Sequence, residues 1–343
     1  MSTELSYRDA GVDRELAAGA KRRILELVAS TNVPGVVANP GGFGGLFRAP
    51  AGMDDAVLVS SADGVGTKLK VAVRASRHDG VGQDIVNHCV NDILVEGARP
   101  LFFLDYIGMG KLEAGVVEDI VEGVAIACRA NGCALLGGET AEMPDVYAPG
   151  EYDLAGFVVG VVENLKRPGR AHVRSGDALI GLASDGFHTN GYSLIRRLLF
   201  DHLELDVNDE FPGVEGSIAD VLLRPHRSYL QSVLPLIEDG SVHALAHITG
   251  GGIPENLERV IPDGLQAHIE LASWVAPPEF RFVQAKGRIA DNEMFHTFNM
   301  GVGLILAVPE DLGDTVERRL VAAGERAWRI GRVGDGEVAV ALV

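Results

Sequence analysis

Four acidic residues in the first half of the sequence are spaced so that alternating strands and helices would gather them. Asp63 follows the apolar run Ala56-Val57-Leu58-Val59, Asp105 follows Pro100-Leu101-Phe102-Phe103-Leu104, and Glu139 follows Cys133-Ala134-Leu135-Leu136 and two glycines. Each run is short and rich in β-branched, aliphatic or aromatic residues, so each reads as a buried strand that ends in a carboxylate. Asp92 stands on an intervening helix. Carboxylates gathered in one pocket repel one another unless a cation lies among them. The pattern therefore predicts a site for a divalent metal and a nucleotide, with Asp63, Asp92, Glu139 and Asp105 as metal ligands.

The loop after the first strand, Asp63-Gly64-Val65-Gly66-Thr67-Lys68, supplies what a phosphate needs. Its glycines let backbone N–H groups approach phosphate oxygens, and Lys68 adds a point charge. Gly41-Gly42-Phe43-Gly44-Gly45 reads as a lid with an apolar tip, closing Gly42, Phe43 and Gly44 over the nucleotide. In the second half, Ser184 to Gly191 forms a second polar loop, with Asn190 expected to cap the helix that follows. Thr249-Gly250-Gly251-Gly252 forms a third, between a strand over 242–248 and a helix from Pro254, and reads as another phosphate turn.

The elements that must position these residues are those of an α/β protein. A helix from Gly80 would bury Ile85, Val86, Cys89, Val90, Ile93 and Leu94 at three-to-four spacing, leaving Asp84, His88, Asn91 and Asp92 towards its other side. His88 reads there as part of an ordinary polar face, and His243 and His247 as histidines satisfied within a strand. A helix over 112–130 and a strand over 152–162 complete the first half. Residues 164–176, basic and without apolar periodicity, mark a boundary. The organisation expected is a segment 1–55 with one helix over 14–30 and the lid, a metal and nucleotide domain 56–168, and a second α/β domain 169–343.

Composition narrows the class. The 343 residues include 43 glycines, about 12.5% where ~7% is ordinary, which suits many backbone-lined loops. A net charge of −18 disfavours nucleic acid and acidic membranes as partners. Three scattered cysteines, the lack of a basic-then-apolar start and the lack of a long apolar run predict a cytoplasmic protein. No GxxxxGK[ST], complete GxGxxG, HExxH or GxSxG motif is present, so a nucleotide would bind on a different scaffold.

Taken together and in order, Ser6 to Asp13, Gly41 to Gly45, Asp63 to Lys68, Asn91-Asp92, Phe102 to Tyr106, Gly137 to Pro144, His188 to Leu194, His247 to Gly252 and Thr297 to Gly303 resemble the phosphoribosylformylglycinamidine cyclo-ligase family. The resemblance implies two α/β domains with mixed sheets, the N-terminal domains of two subunits pairing into a shared barrel in a homodimer. It also implies ATP-dependent ring closure of a phosphoribosyl amidine: ATP phosphorylates a formamide oxygen, the amidine nitrogen attacks, and phosphate leaves. On that likeness Mg2+ and ATP fall on Asp63, Asp92 and Glu139 with Lys68 on the phosphates, and His188 and Asn190 contact the reacting groups. Two other readings stay open at this point, a related ATP-dependent phosphotransfer enzyme of the same fold and a non-catalytic nucleotide-binding regulator. His88 stands where the family more often has an apolar residue.

Overall fold

The computed structural model describes residues 23–38 and 44–343. Gly42 and Phe43, and most of the expected first helix, lie outside them. A helix over 23–29 (α1) and a two-stranded ribbon of β1 (Val36–Ala38) and β2 (Leu46–Phe47) precede the first main sheet. That sheet holds β3 (Ala56–Gly64), β4 (Arg99–Met109), β5 (Ala134–Glu142) and β6 (Tyr152–Glu163) in the order β3-β6-β4-β5. Helices α2 (Leu69–Ala75), α3 (Asp79–Leu94) and α4 (Ala114–Ala130) accompany it.

The chain changes sheet between β6 and β7 (Ala178–Ala183), across the segment read as a boundary. The second sheet adds β8 (Ala244–His247), β9 (Leu265–Ile269), β10 (Val302–Val308), β11 (Ala327–Asp335) and β12 (Val340–Leu342), in the order β12-β9-β11-β7-β10-β8. Its helices are α5 (Tyr192–Arg196), α6 (Ile218–Leu222), α7 (Leu230–Glu238), α8 (Gly252–Glu258), α9 (Pro278–Gly287), α10 (Asp291–Thr297) and α11 (Gly313–Ala322).

Burial explains the strand patterns. β7 and β10 are buried at every residue, because one apolar core lies on each face of their sheet. β3 instead alternates between exposed and half-buried residues. Its odd-numbered residues face α3, while Leu58 on the other face is 66% exposed and Phe157 of neighbouring β6 is 51% exposed. The larger core is continuous across both halves, joining Ile85 and Ile93 of α3 to Phe187, Tyr192 and Tyr229. Each such fully buried side chain contributes about 1.5–3 kcal/mol, so the two halves are held together as one body.

Register corrects the reading of three acids at three strand ends. Only Asp63 is near an end. Asp105 and Glu139 lie inside β4 and β5, because the glycine pair 137–138 continues β5 alongside β4. A Cβ on Gly138 would sit 2.1 Å from Asp105 Oδ1, so the absence of a side chain there makes room for the carboxylate. Asp63 and Asp105 both pair with Gly156 and so share the helix-covered face, whereas Glu139 pairs with Tyr106 and points to the opposite one.

Candidate active site between the two halves

A cavity of about 990 Å³ opens where β3 and α3 meet the second domain. The pleat of β3 sends Ser61 and Asp63 towards α3, and the i, i+4 spacing of His88 and Asp92 puts both on the helix edge facing them. Asp63 Oδ1 accepts the Gly64 N–H at 2.6 Å, and Asp63 Oδ2 lies 2.7 Å from His88 Nε2. Asp92 accepts from the Ser61 hydroxyl at 2.9 Å and lies 2.8 Å from Nδ1 of His247, at the end of β8. Thr249, Gly250, Asn190 and Asn256 close the wall on the second-domain side.

Burial would raise both carboxyls, but their partners outweigh it: His88 and the Gly64 N–H hold Asp63 below its ordinary value, and His247, His88 and Ser61 do the same for Asp92. Burial would lower His88 too, yet Asp63 and Asp92 raise it. His247 is lowered because burial exceeds the pull of Asp92. Behind these rings lie Thr189 Oγ1, 2.9 Å from His88 Nδ1, and His226 Nε2, 3.0 Å from His247 Nε2. The ligand atoms of His88, Asp92 and His247 lie within 4.8 Å of one another, and this set of one carboxylate and two imidazoles, with Asp63 beside it, fits a divalent cation.

Several expected residues lie elsewhere. Lys68 does not reach the cavity: fully buried, it spends its three N–H bonds on Asp84 and on the carbonyls of His188 and Arg224. An ammonium with no free N–H cannot hold a phosphate. His188 is fully buried with its ring stacked 3.9 Å from that of His226, and burial drives it well below the ordinary imidazole value. It stands behind the cavity wall and is not among the residues that line the cavity. Asp105 lies under the sheet away from the cavity, its carboxyl pushed by burial up to about 7. Glu139 is exposed on the open face, three strand spacings of about 4.8 Å from β3, so one protomer does not gather the four acids.

The loops are likewise divided. Gly64, Val65 and Gly66 line the cavity, but Thr67 is exposed and bonds Ser193 at 3.0 Å. Asn190 lines the cavity but does not cap α5, whose N-cap is Gly191 in the left-handed conformation. In the third loop Thr249 and Gly250 face the cavity, whereas Gly251 and Gly252 serve packing: a Cβ on Gly252 would meet the Phe295 carbonyl at 1.8 Å. Asn256 donates to the Gly250 and Gly252 carbonyls, turning that edge of the loop inwards. Gly44, exposed before β2, is the one described residue of the lid tip.

Sequence reading passed over His88, His226 and the arginines of the rim. The His88–Asp92 spacing was a usable signal, since both fall on one helix edge. His226 lies in an irregular segment with no local motif, and only the fold brings it to His247.

Residues 48–162 match the model described as AIR synthase related protein, N-terminal domain, and residues 174–343 the model described as AIR synthase related protein, C-terminal domain. A phosphoribosylformylglycinamidine cyclo-ligase of Nitratidesulfovibrio vulgaris is 49% identical over 330 residues, covering 96% of this chain and 94% of the relative. The chain belongs to the phosphoribosylformylglycinamidine cyclo-ligase family. The cyclo-ligase fold is shared with thiamine-monophosphate kinase from Stenotrophomonas maltophilia (TM-score 0.71, 19% identity, 96% of each chain covered). It is shared as well with the hydrogenase maturation protein HypE solved in complex with ATP (TM-score 0.65, 18% identity, 94% of this chain and 90% of that one). Between the two matched cyclo-ligase domains runs the segment that contributes Arg167 and Arg170 to the cavity.

Proposed function

We propose that the chain closes the imidazole ring of formylglycinamidine ribonucleotide with ATP, giving 5-aminoimidazole ribonucleotide, ADP and phosphate, in de novo purine biosynthesis. The observation that carries the site assignment is the meeting of Asp63 and Asp92 from one domain with His247, Thr249 and Gly250 from the other across a single cavity. Asp63 and Asp92 would hold Mg2+, which when bound offsets charge on the transferring phosphoryl group. The Gly64–Gly66 backbone and Thr249-Gly250 would border the phosphates, and Asn190 would orient the formamide. The formamide oxygen is a poor leaving group until phosphorylated; the amidine nitrogen then adds to that carbon and the oxygen departs within phosphate. Because no Lys or Cys nucleophile faces the cavity among its lining residues, the chain's contribution is positioning and charge.

The far wall suits an anionic substrate. Arg167, Arg170 and Arg259 line it, and Arg259 has no acceptor among the described residues. Arg167 pairs with Glu96 at 2.6 Å, and its buried Nε–H has no partner among the described residues. We assign the substrate's 5′-phosphate to this end. A homodimer accounts for the exposed Leu58 and Phe157 on the open sheet face, and three unpaired, buried cysteines agree with a cytoplasmic setting.

The test is ADP release together with diazotisable aminoimidazole from purified protein. Equal yields that require both substrates support the reading. ADP release that is independent of the amidine, with no imidazole formed, would sink it.

A further inference from the structure

We propose that His88, His247 and Asp92 form a mixed imidazole–carboxylate site for one first-row transition-metal dication, of the Zn2+ class, filled without any nucleotide. The ligand atoms of His88, Asp92 and His247 all lie within 4.8 Å of one another. Asp63 Oδ2, 2.7 Å from His88 Nε2, stands beside this set rather than within it. Zinc binds nitrogen and oxygen at about 2.0–2.2 Å, which sets neighbouring ligands of a tetrahedral ion roughly 3.4 Å apart. The His247–Asp92 and His88–Asp92 N···O separations, 2.8 and 3.9 Å, bracket that spacing. An ion therefore enters by replacing two His–Asp hydrogen bonds, without a change of fold.

Ring orientation is a second, independent observation. Each imidazole offers one nitrogen to the centre and has the other one held from behind, His88 Nδ1 by Thr189 Oγ1 at 2.9 Å and His247 Nε2 by His226 at 3.0 Å. Thr189 Oγ1 also lies 3.5 Å from His226 Nδ1, so the two supports are tied together. Metal-binding histidines need such outer partners to fix tautomer and aim.

Ligand type decides the ion. Mg2+ prefers an octahedron of oxygens that includes several waters, whereas imidazole suits zinc, nickel and copper. With nucleotide present, phosphate oxygens shift the balance towards Mg2+; without it, the two imidazoles dominate.

The test uses chelator-stripped full-length protein titrated calorimetrically with Zn2+ alone and, separately, with Mg2+ alone. One saturable Zn2+ equivalent is expected, at least 100-fold tighter than Mg2+. His88→Ala and His247→Ala should each weaken it at least tenfold. Thr189→Val, which keeps all three ligands, should weaken it about 10–100-fold. Unfolding midpoints establish that each variant is folded; His88 and His247 are both buried, so whichever of their variants folds decides, with Thr189→Val as the further check. No saturable Zn2+ site in the wild type, or affinity within twofold of wild type in His88→Ala, overturns the proposal. Metal binding without nucleotide is independent of the ring-closure reading, so either can fail alone.

Discussion

Lys68 Nζ lies 2.8 Å from Asp84 Oδ2, and neither side chain has any solvent exposure. The same carboxylate accepts the His226 N–H at 2.6 Å, while Lys68 reaches the His188 and Arg224 carbonyls. One ion pair thus ties β3's loop and α3 to two loops of the second domain. Burial pushes Lys68 down and Asp84 up, and their mutual contact opposes both shifts.

Removing one member of a buried pair leaves the other charge uncompensated, at a cost of about 3–5 kcal/mol. Lys68→Met should therefore lower stability by that order in chemical denaturation, and Lys68→Met with Asp84→Leu should recover part of it. The folded fraction of Lys68→Met should keep its KM for ATP. A stable variant with a raised KM for ATP would return Lys68 to the phosphates.

Asp105 offers a pH test remote from the cavity. Its folded value is pushed by burial up to about 7 from an ordinary 3.8. Between those values the folded state holds a proton that the unfolded state has lost, so this group lowers stability as pH rises from about 4 to 7. Asp105→Asn removes the titration, and its melting temperature should gain on the wild type across that window, by on the order of 6 °C at pH 8. A constant difference from pH 4.5 to pH 8 would show that the carboxyl ionises normally.

Asp63 and Asp92 give a ligand test. Mg2+ with ATP should raise the wild-type melting temperature by mass action, and Asp63→Asn should abolish the rise while remaining folded. A full thermal response in the variant removes Asp63 from the site.

Arg259, on the cavity wall and without an acceptor among the described residues, should act on the substrate alone. Arg259→Gln should raise the KM for the ribonucleotide about tenfold or more, as loss of a charge-assisted contact of ~1.5–3 kcal/mol implies, and leave the KM for ATP within twofold. The opposite split would assign the arginine end to the nucleotide.

How much of this was legible in sequence depended on whether the signal was local. The strand before Asp63 and the helix carrying Asp92 follow from periodicity, and the structure contains both. Lys68 misled because a lysine after two glycines looks the same whether it meets phosphate or a buried aspartate 16 residues on. Glu139 misled because strand order is not written in any one strand: β5 joins the sheet at the edge far from β3. His188 was chosen for its loop, but its left-handed backbone (φ 58°) turns the ring into the core. His226 and His247 meet over 21 residues of sequence through folding alone.

The central claim, that ATP activates the formamide oxygen for ring closure, is tested most directly by isotope transfer. Substrate labelled with ¹⁸O in the formyl group is converted in a single turnover, and the released phosphate is analysed by mass spectrometry. The account predicts one ¹⁸O atom in each phosphate formed, in step with aminoimidazole. Unlabelled phosphate, with the label released to water, would contradict it.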